Sequence, residues 1–63
     1  MAIRYIKDDG NHFYIVTEKG QKWAQSKNHA KLLNTTEKTW TIERFGWIYV
    51  YDENNNLIQS RPA

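Results

Sequence analysis

The sequence predicts a small α+β domain, an antiparallel β-sheet with one short helix packed on one face. Two observations support the sheet: apolar and polar residues alternate along much of the chain, and three isolated glycines separate β-prone segments. A third supports the helix, because residues 26–34 contain good helix formers and no β-branched residue. We expect the order β-β-β-α-β-β in one domain over residues 1–59, followed by a flexible tail over residues 60–63.

The first two glycines predict the first two hairpins. Gly10 and Gly20 each follow two turn-forming residues, which suits a three-residue loop with glycine at positive φ. With these loops, one sheet face is apolar, and the other mixes apolar and charged side chains. A two-residue Asp9–Gly10 loop is the alternative, and it moves the first strand to the other face. The three-residue register places on one buried face Ile3, Tyr5, Phe13, Ile15 and Trp23.

The middle of the chain predicts the helix and the two strands that follow it. The helix is expected from about residue 27 to 36, with Ser26 or Asn28 as its N-cap. Alternation resumes over residues 39–43, with Trp40 and Ile42 on one side, and residues 47–51 form the strongest strand. Between them, Gly46 marks either a third hairpin loop or a bulge in one long strand, since a bulky aromatic precedes it.

The segment RFGWIYVY, residues 44–51, is the densest apolar stretch of the chain. In a strand, Trp47, Tyr49 and Tyr51 lie on one face, and Ile48 and Val50 lie on the other. We expect this strand to be central, with its aliphatic side chains against the helix because branched aliphatics fit a narrow gap. The aromatic row then lies on the opposite face and is only partly covered.

This aromatic row is the main candidate for a binding surface. Aromatic side chains on an open sheet face stack bases or clasp peptides. The alternative, that the row completes the core, is also open because so small a domain needs its aromatic residues inside. Together with one tyrosine of the first hairpin, the candidate interaction surface comprises Trp47, Tyr49, Tyr51 and Tyr14.

Residues 52–56 predict a turn, because Asp and Asn side chains bond their own backbone. The Asp-x-Asn-x-Asn spacing resembles the start of a calcium loop, but the sixth and twelfth loop positions are Leu57 and Ala63 instead of Gly and Glu. We therefore expect no metal site. Residues 57–59 are expected to pair back as a short edge strand.

The charge of the chain is mildly basic, with a net charge of +2. A cluster of lysines could follow a phosphate backbone, although lysines also protect sheet edges and solvate surfaces. The basic excess lies in the first half of the chain, and the candidate basic patch comprises Lys19, Lys22, Lys27 and Lys31.

Cysteine content and targeting signals limit the compartment. The chain has no Cys, so disulfides and thiolate metal sites are excluded. The N-terminal segment lacks the apolar region of a signal peptide, and no run reaches the ~20 apolar residues of a membrane helix. These features predict a cytoplasmic protein that does not bind a membrane.

The candidate acid–base groups are His12 and His29, expected beside a loop and near a helix start. Catalysis would need a nucleophile or carboxylate held near one of them in a pocket, and no spacing in the sequence predicts one. The isolated glycines do not form a phosphate-binding loop. We expect no enzyme activity, no catalytic residues and no cofactor.

Two hypotheses for function follow. The chain begins with Met and ends soon after its last strand, so we expect a freestanding protein that binds and modulates, or inhibits, a larger protein partner. A phage or mobile-element origin is a guess. The alternative is a single-stranded nucleic-acid or RNA-binding module that uses the aromatic sheet face and the lysines. Chain length leaves a monomer and a homodimer about equally open.

Overall fold

The computed structural model describes residues 2–63, which form an all-β fold of seven strands. The expected α+β fold class is therefore wrong, because no segment of residues 2–63 is helical. Within these residues no helix is long and apolar enough to cross a membrane. The strands are β1 Tyr5–Asp8, β2 His12–Thr17, β3 Gly20–Ser26, β4 Lys31–Thr35, β5 Thr39–Arg44, β6 Trp47–Asp52 and β7 Leu57–Pro62.

The strands form two antiparallel sheets whose inner faces pack on each other. The N-terminal sheet has the order β1-β2-β3 and the C-terminal sheet has the order β4-β5-β6-β7. Alternation explains which side chains turn inward, since β2 buries every second residue and β5 does the same. The core contains Ile3, Ile6, Phe13, Ile15, Ala24, Ala30, Trp40, Ile42 and Tyr51.

The first hairpin differs from the predicted three-residue register. Ile6 lies opposite Ile15, so β1 turns Ile6 inward and leaves Tyr5 exposed. The aspartates explain the longer loop: Asp9 Oδ1 accepts hydrogen bonds from the backbone N–H groups of two following residues, at 2.9 and 2.7 Å. Gly10 has the expected positive φ of 96°. The first strand therefore presents the opposite face, as the alternative loop predicted, although through a different loop.

The second hairpin has a two-residue loop, because Thr17 lies opposite Gly20. Gly20 has the predicted positive φ, 124°, but the predicted pairing is wrong by one residue. A bulge then leaves Ala24 between the paired positions Trp23 and Gln25. Ala24 is fully buried and Trp23 points outward, so the predicted core position of Trp23 is also wrong.

The predicted helix over residues 27–36 is replaced by a turn and an edge strand. Asn28 and His29 have positive φ values of 28° and 67°, which stop a helix. Ala30 is buried and Leu32 is half-buried, and this spacing of two residues is that of a strand. Leu32 lies opposite Ile42 in β5. Pairing with β5 and packing in the core outweigh the weak helix propensity of the segment.

The third glycine closes a true hairpin between β5 and β6. Arg44 lies opposite Trp47, and the two loop residues Phe45 and Gly46 have φ values of 52° and 79°. Two successive positive φ values are typical of a type I′ turn, which matches the twist of the paired strands. The hairpin alternative is therefore confirmed, and the bulge alternative is wrong.

The C-terminal strand β7 pairs with β6 and forms one edge of the C-terminal sheet, as predicted for residues 57–59. The strand continues through residues 60–62, which were expected to form a flexible tail. Pro62 lies opposite Trp47, and the Ala63 N–H donates to the Gly46 carbonyl at 2.8 Å. A proline fits here because an edge strand needs hydrogen bonds on one side only.

Side chains and main chain also join the two sheets. The Phe13 and Trp40 rings meet edge to face with centroids 5.9 Å apart. The Asn55 side chain donates to the Ala24 carbonyl at 2.7 Å and accepts from Gln25 Nε2 at 2.9 Å. Asn55 itself has a φ of 67°, which asparagine tolerates better than most residues. The β6–β7 turn is therefore fastened to β3.

Candidate interaction surfaces

The aromatic row of β6 lies on the inner face of the C-terminal sheet. Tyr51 pairs with Trp40 and Tyr49 pairs with Ile42, so these side chains share the core face. Ile48 and Val50 lie on the outer face and are half-buried there. The expectation that Ile48 and Val50 face the core is therefore wrong. The large core residues of β5, Trp40 and Ile42, lie on the same face as the aromatic row, so it is this face that packs on the N-terminal sheet.

Burial along this row falls steadily from one end to the other. Tyr51 is 8% exposed and stacks on Trp40 with ring centroids 4.9 Å apart. Tyr49 is half-buried, and Trp47 is 46% exposed. The N-terminal sheet has three strands and the C-terminal sheet has four, so the inner face is covered only in part. The row is core at Tyr51 and surface at Trp47.

The uncovered end of the row continues into an exposed group of rings. Phe45, in the turn before Trp47, is 73% exposed. Its ring lies against His29, with centroids 5.6 Å apart. Pro62 lies across from Trp47 on β7 and is also exposed. We call this group, His29, Phe45, Trp47 and Pro62, the aromatic tip.

Phe45 occupies a backbone conformation that disfavours it. The first loop position of a type I′ turn is usually Asn, Asp or Gly, because an L side chain with positive φ is strained. A phenylalanine there costs about 1–2 kcal/mol relative to a residue suited to the left-handed region. Since the side chain is mostly exposed, packing within the domain offsets little of that strain. Strained residues of this kind cluster at functional sites.

Tyr14 lies on a different surface from the β6 row. It is on the outer face of the N-terminal sheet, directly between Lys7 on β1 and Trp23 on β3. Lys7 Nζ lies 5.8 Å from the centre of the Tyr14 ring. The structure therefore does not bring Tyr14 together with Trp47, Tyr49 and Tyr51. We call the outward-facing group, Tyr5, Lys7, His12, Tyr14, Gln21 and Trp23, the outer platform.

The four candidate lysines do not form one patch. Lys19 and Lys22 line a groove of about 170 Å³ beside the β6–β7 turn, smaller than the ~300 Å³ of small-molecule sites. Lys27 is bound to Asp8, with Nζ 2.7 Å from Oδ2. Lys31 is on β4, opposite Glu43. Lys27 and Lys31 therefore have acidic neighbours, and the groove lined by Lys19 and Lys22 also includes Glu53.

The two histidines line the same open depression, together with Lys27. His12 Nδ1 is 4.0 Å from Asp9 Oδ1. The pKa of Asp9 is lowered mainly by hydrogen bonds from the backbone N–H groups of Asn11 and His12, so its carboxylate holds the loop. Among residues 2–63, no three His, Cys, Asp or Glu side chains are grouped as metal ligands.

The turn after β6 is held by a carboxylate in the same way. The Asp52 side chain accepts hydrogen bonds from the backbone N–H groups of Asn54 and Asn56, at 2.9 and 2.8 Å. These hydrogen bonds lower the pKa of Asp52, and the bond from the Asn56 N–H has the larger effect. The predicted turn is therefore confirmed, and its aspartate serves the backbone.

Comparison of the chain with protein-family models, curated proteins and solved structures found no match. The assignment of function therefore depends on the geometry of the two exposed aromatic groups. Sequence reasoning placed Trp23 in the core because the register was shifted. Phe45 is a candidate that the sequence analysis missed, and the signal for it is the presence of a phenylalanine at a turn position that suits asparagine or glycine.

Proposed function

We propose that this chain is a small non-enzymatic interaction protein that binds a larger protein partner through the aromatic tip. The observation that carries the proposal is Phe45, a 73% exposed phenylalanine in a turn position that suits asparagine or glycine. The residue strains the turn and adds little core packing, so we infer that its ring contacts another molecule. Modulation or inhibition of the partner and a cytoplasmic location remain predictions.

The chemistry of the aromatic tip suits an anchor that enters a pocket. A fully buried aromatic side chain removes about 150–250 Å² from water, which is worth roughly 4–6 kcal/mol at about 25 cal/mol per Å² before the costs of association. Trp47, two residues after Phe45, is 46% exposed and could bury that surface against a partner. Binding energy at interfaces is concentrated in a few such residues near the centre.

The free edge of β7 lies beside this anchor. β7 pairs only with β6, so the hydrogen-bonding groups on its other side face outward. All six residues of β7 are exposed, including Leu57 and Ile58 at 52% and 54%. An extended partner segment could add to this edge while a neighbouring pocket takes Phe45. The Pro62 end of β7, opposite Trp47, joins this edge to the aromatic tip, whereas Leu57 lies at the far end of the strand, opposite Tyr51.

The decisive variant is Phe45→Asn, because it removes the ring and improves the turn. Asn-Gly is the preferred pair for a type I′ turn, so the free energy of unfolding should rise by about 1–2 kcal/mol. Partner binding should be lost. Wild-type and variant proteins, each immobilised and incubated with extract of the native cells, would show which captured protein depends on Phe45.

A matched control distinguishes a specific loss from a general one. Trp23→Ala removes another exposed aromatic, from the opposite sheet, so it should keep the partner that Phe45→Asn loses. If Phe45→Asn retains the same partner, or if it unfolds the domain, the tip is not the binding anchor. Sedimentation of the purified chain tests whether the partner is a second copy, since Phe45→Asn would then convert a dimer to a monomer.

A further inference from the structure

The outer platform is a second aromatic surface, separate from the aromatic tip. It occupies the outer face of a three-stranded antiparallel sheet, with Lys7, Tyr14 and Trp23 side by side across the strands. Tyr5 and Gln21 belong to the adjacent row, on either side of Val16. Each row of the platform thus carries at least one aromatic ring and one hydrogen-bonding side chain.

Three of the rings lie close together, and two of the platform's rings are accessible. Trp23 is 53% exposed and Tyr5 is 55% exposed. His12 lies 6.3 Å from Trp23 and 6.5 Å from Tyr14 between ring centroids. The core does not need these rings, because Phe13 and Ile15 on the inner face of β2 are buried. Exposed rings on an open sheet provide flat surfaces on which unpaired bases stack.

The charge of this half of the molecule complements a phosphate backbone. Up to residue 29 the chain carries five Lys or Arg and three Asp or Glu, whereas from residue 30 it carries four of each. The whole net positive charge therefore belongs to the part that forms the N-terminal sheet. Asp8 is bound to Lys27, and Asp9 is engaged by backbone N–H groups. Lys7 lies over the platform itself.

We propose that the outer platform binds single-stranded nucleic acid, with bases stacked on Trp23, Tyr14 and Tyr5 and a phosphate near Lys7. A surface of this size suits about two or three bases, as on other aromatic sheets. Duplex nucleic acid is excluded as the preferred ligand because its bases are already stacked. The imidazole of His12 and the amide of Gln21 supply hydrogen-bonding groups for base edges. This site is independent of the aromatic tip.

The test uses a fluorescently labelled oligothymidylate and oligouridylate of about ten nucleotides, long enough to cover one such site. Fluorescence anisotropy with the wild-type chain should show binding to both. Affinity should fall about 3- to 7-fold between about 50 and about 200 mM salt, as expected for one or two phosphate contacts. Replacing Trp23 by Ala should weaken binding about tenfold, and Trp23→Phe should restore most of it.

Trp47→Ala is the matched control, since it removes a tryptophan of similar exposure from the other surface. It should leave oligonucleotide binding unchanged, and urea unfolding should show that Trp23→Ala keeps its fold. The proposal is overturned by absence of binding at low salt, by binding that survives Trp23→Ala, or by binding that does not respond to salt. Binding of a duplex more tightly than its separated strands also overturns it.

Discussion

The two ends of the β6 aromatic row show how position and burial are set by different parts of the molecule. Tyr51 and Trp47 lie on the same face of the same strand. Tyr51 is 8% exposed and stacked on Trp40, whereas Trp47 is 46% exposed. Alternation along β6 decides the shared face, but the extent of the opposing N-terminal sheet decides which ring is covered. A row of aromatics can therefore be both core and binding surface.

The turns at these two ends also differ: the turn beside the buried Tyr51 is bound to the other sheet, and the turn beside the exposed Trp47 is not covered. Beyond Tyr51, Asn55 joins the turn to Ala24 and Gln25 of β3 through its side chain. Beside Trp47, the turn residue Phe45 points into solvent and touches the His29 ring. One turn thus uses its residue at positive φ to fasten the two sheets, and the other uses it to present a ring. This contrast leads to the following predictions, from the largest effect to the smallest.

Replacement of Trp40 by Ala should have the largest effect on stability. Removing a fully buried tryptophan costs about 3–5 kcal/mol, which equals the whole stability of many domains of this size. Trp47→Ala should cost about half as much, roughly 2 kcal/mol, because half of that side chain is already in water. Urea unfolding followed by far-ultraviolet circular dichroism measures both. Equal losses would show that the uncovered end of the row is as much a part of the core as the covered end.

Replacement of Asn55 by Ala should have the next largest effect, about 2 kcal/mol. The change removes two hydrogen bonds between the sheets and places alanine at positive φ. Asn54→Ala is the matched control, since the Asp52 side chain binds the Asn54 backbone N–H, which alanine keeps. Asn55→Gly separates the two causes, because it relieves the backbone strain and still loses the bonds. If Asn54→Ala destabilises as much, the fastening has been misassigned.

The sequence predicted the strands and the turn chemistry better than their assembly. Alternation placed Trp40 with Ile42, and the positive φ of Gly10 and Gly20 followed from their sequence settings. The register was missed because Asp9 hydrogen bonds lengthened one loop, and because the next loop has two residues, Glu18 and Lys19, instead of the expected three, which turns Trp23 outward. Such competition between nearly equivalent loops cannot be resolved from local preferences alone.

The false helix and the site residues have a common explanation. Residues 27–36 contain helix formers, but an edge strand for β5 gave their apolar residues a partner. Among residues 2–63 no helix covers the outer face of the C-terminal sheet, so Ile48 and Val50 lie outside the core, the reverse of what was expected. Both Trp47 and Tyr51 were expected to be partly exposed. Trp47 is, whereas Tyr51 is buried. Only the relative size of the two sheets distinguishes them, and that is a tertiary property.

Replacement of Gly46 tests the turn at the exposed end. Its φ of 79° is strained for alanine, and a Cβ there would meet no atom within 4 Å. The cost of Gly46→Ala is therefore conformational, about 1 kcal/mol. Gly46→Asn should cost less, since asparagine tolerates the left-handed region. Thermal unfolding of the two variants compares them, and equal stability would indicate that this turn does not hold its positive φ in solution.

The smallest effect should be a loss of stability in acid that, of the two ends of the β6 row, affects the end fastened by Asn55. Backbone N–H groups of Asn56 and Asn54 lower the pKa of Asp52 below its ordinary value of 3.8. A lowered pKa in the folded state means that the carboxylate stabilises the fold fully above pH 3.8, and that this contribution is lost as the pH falls through the folded value. Amide signals of the β6–β7 turn should therefore broaden or shift in acid before those of the Phe45–Gly46 turn. Asp52→Asn keeps the shape and removes the titration, so it should flatten this dependence, whereas Glu37→Gln, which changes an exposed side chain in the β4–β5 loop, should leave it intact. If the turn at Phe45 and Gly46 responds to acid first, the carboxylate does not set the difference between the two ends.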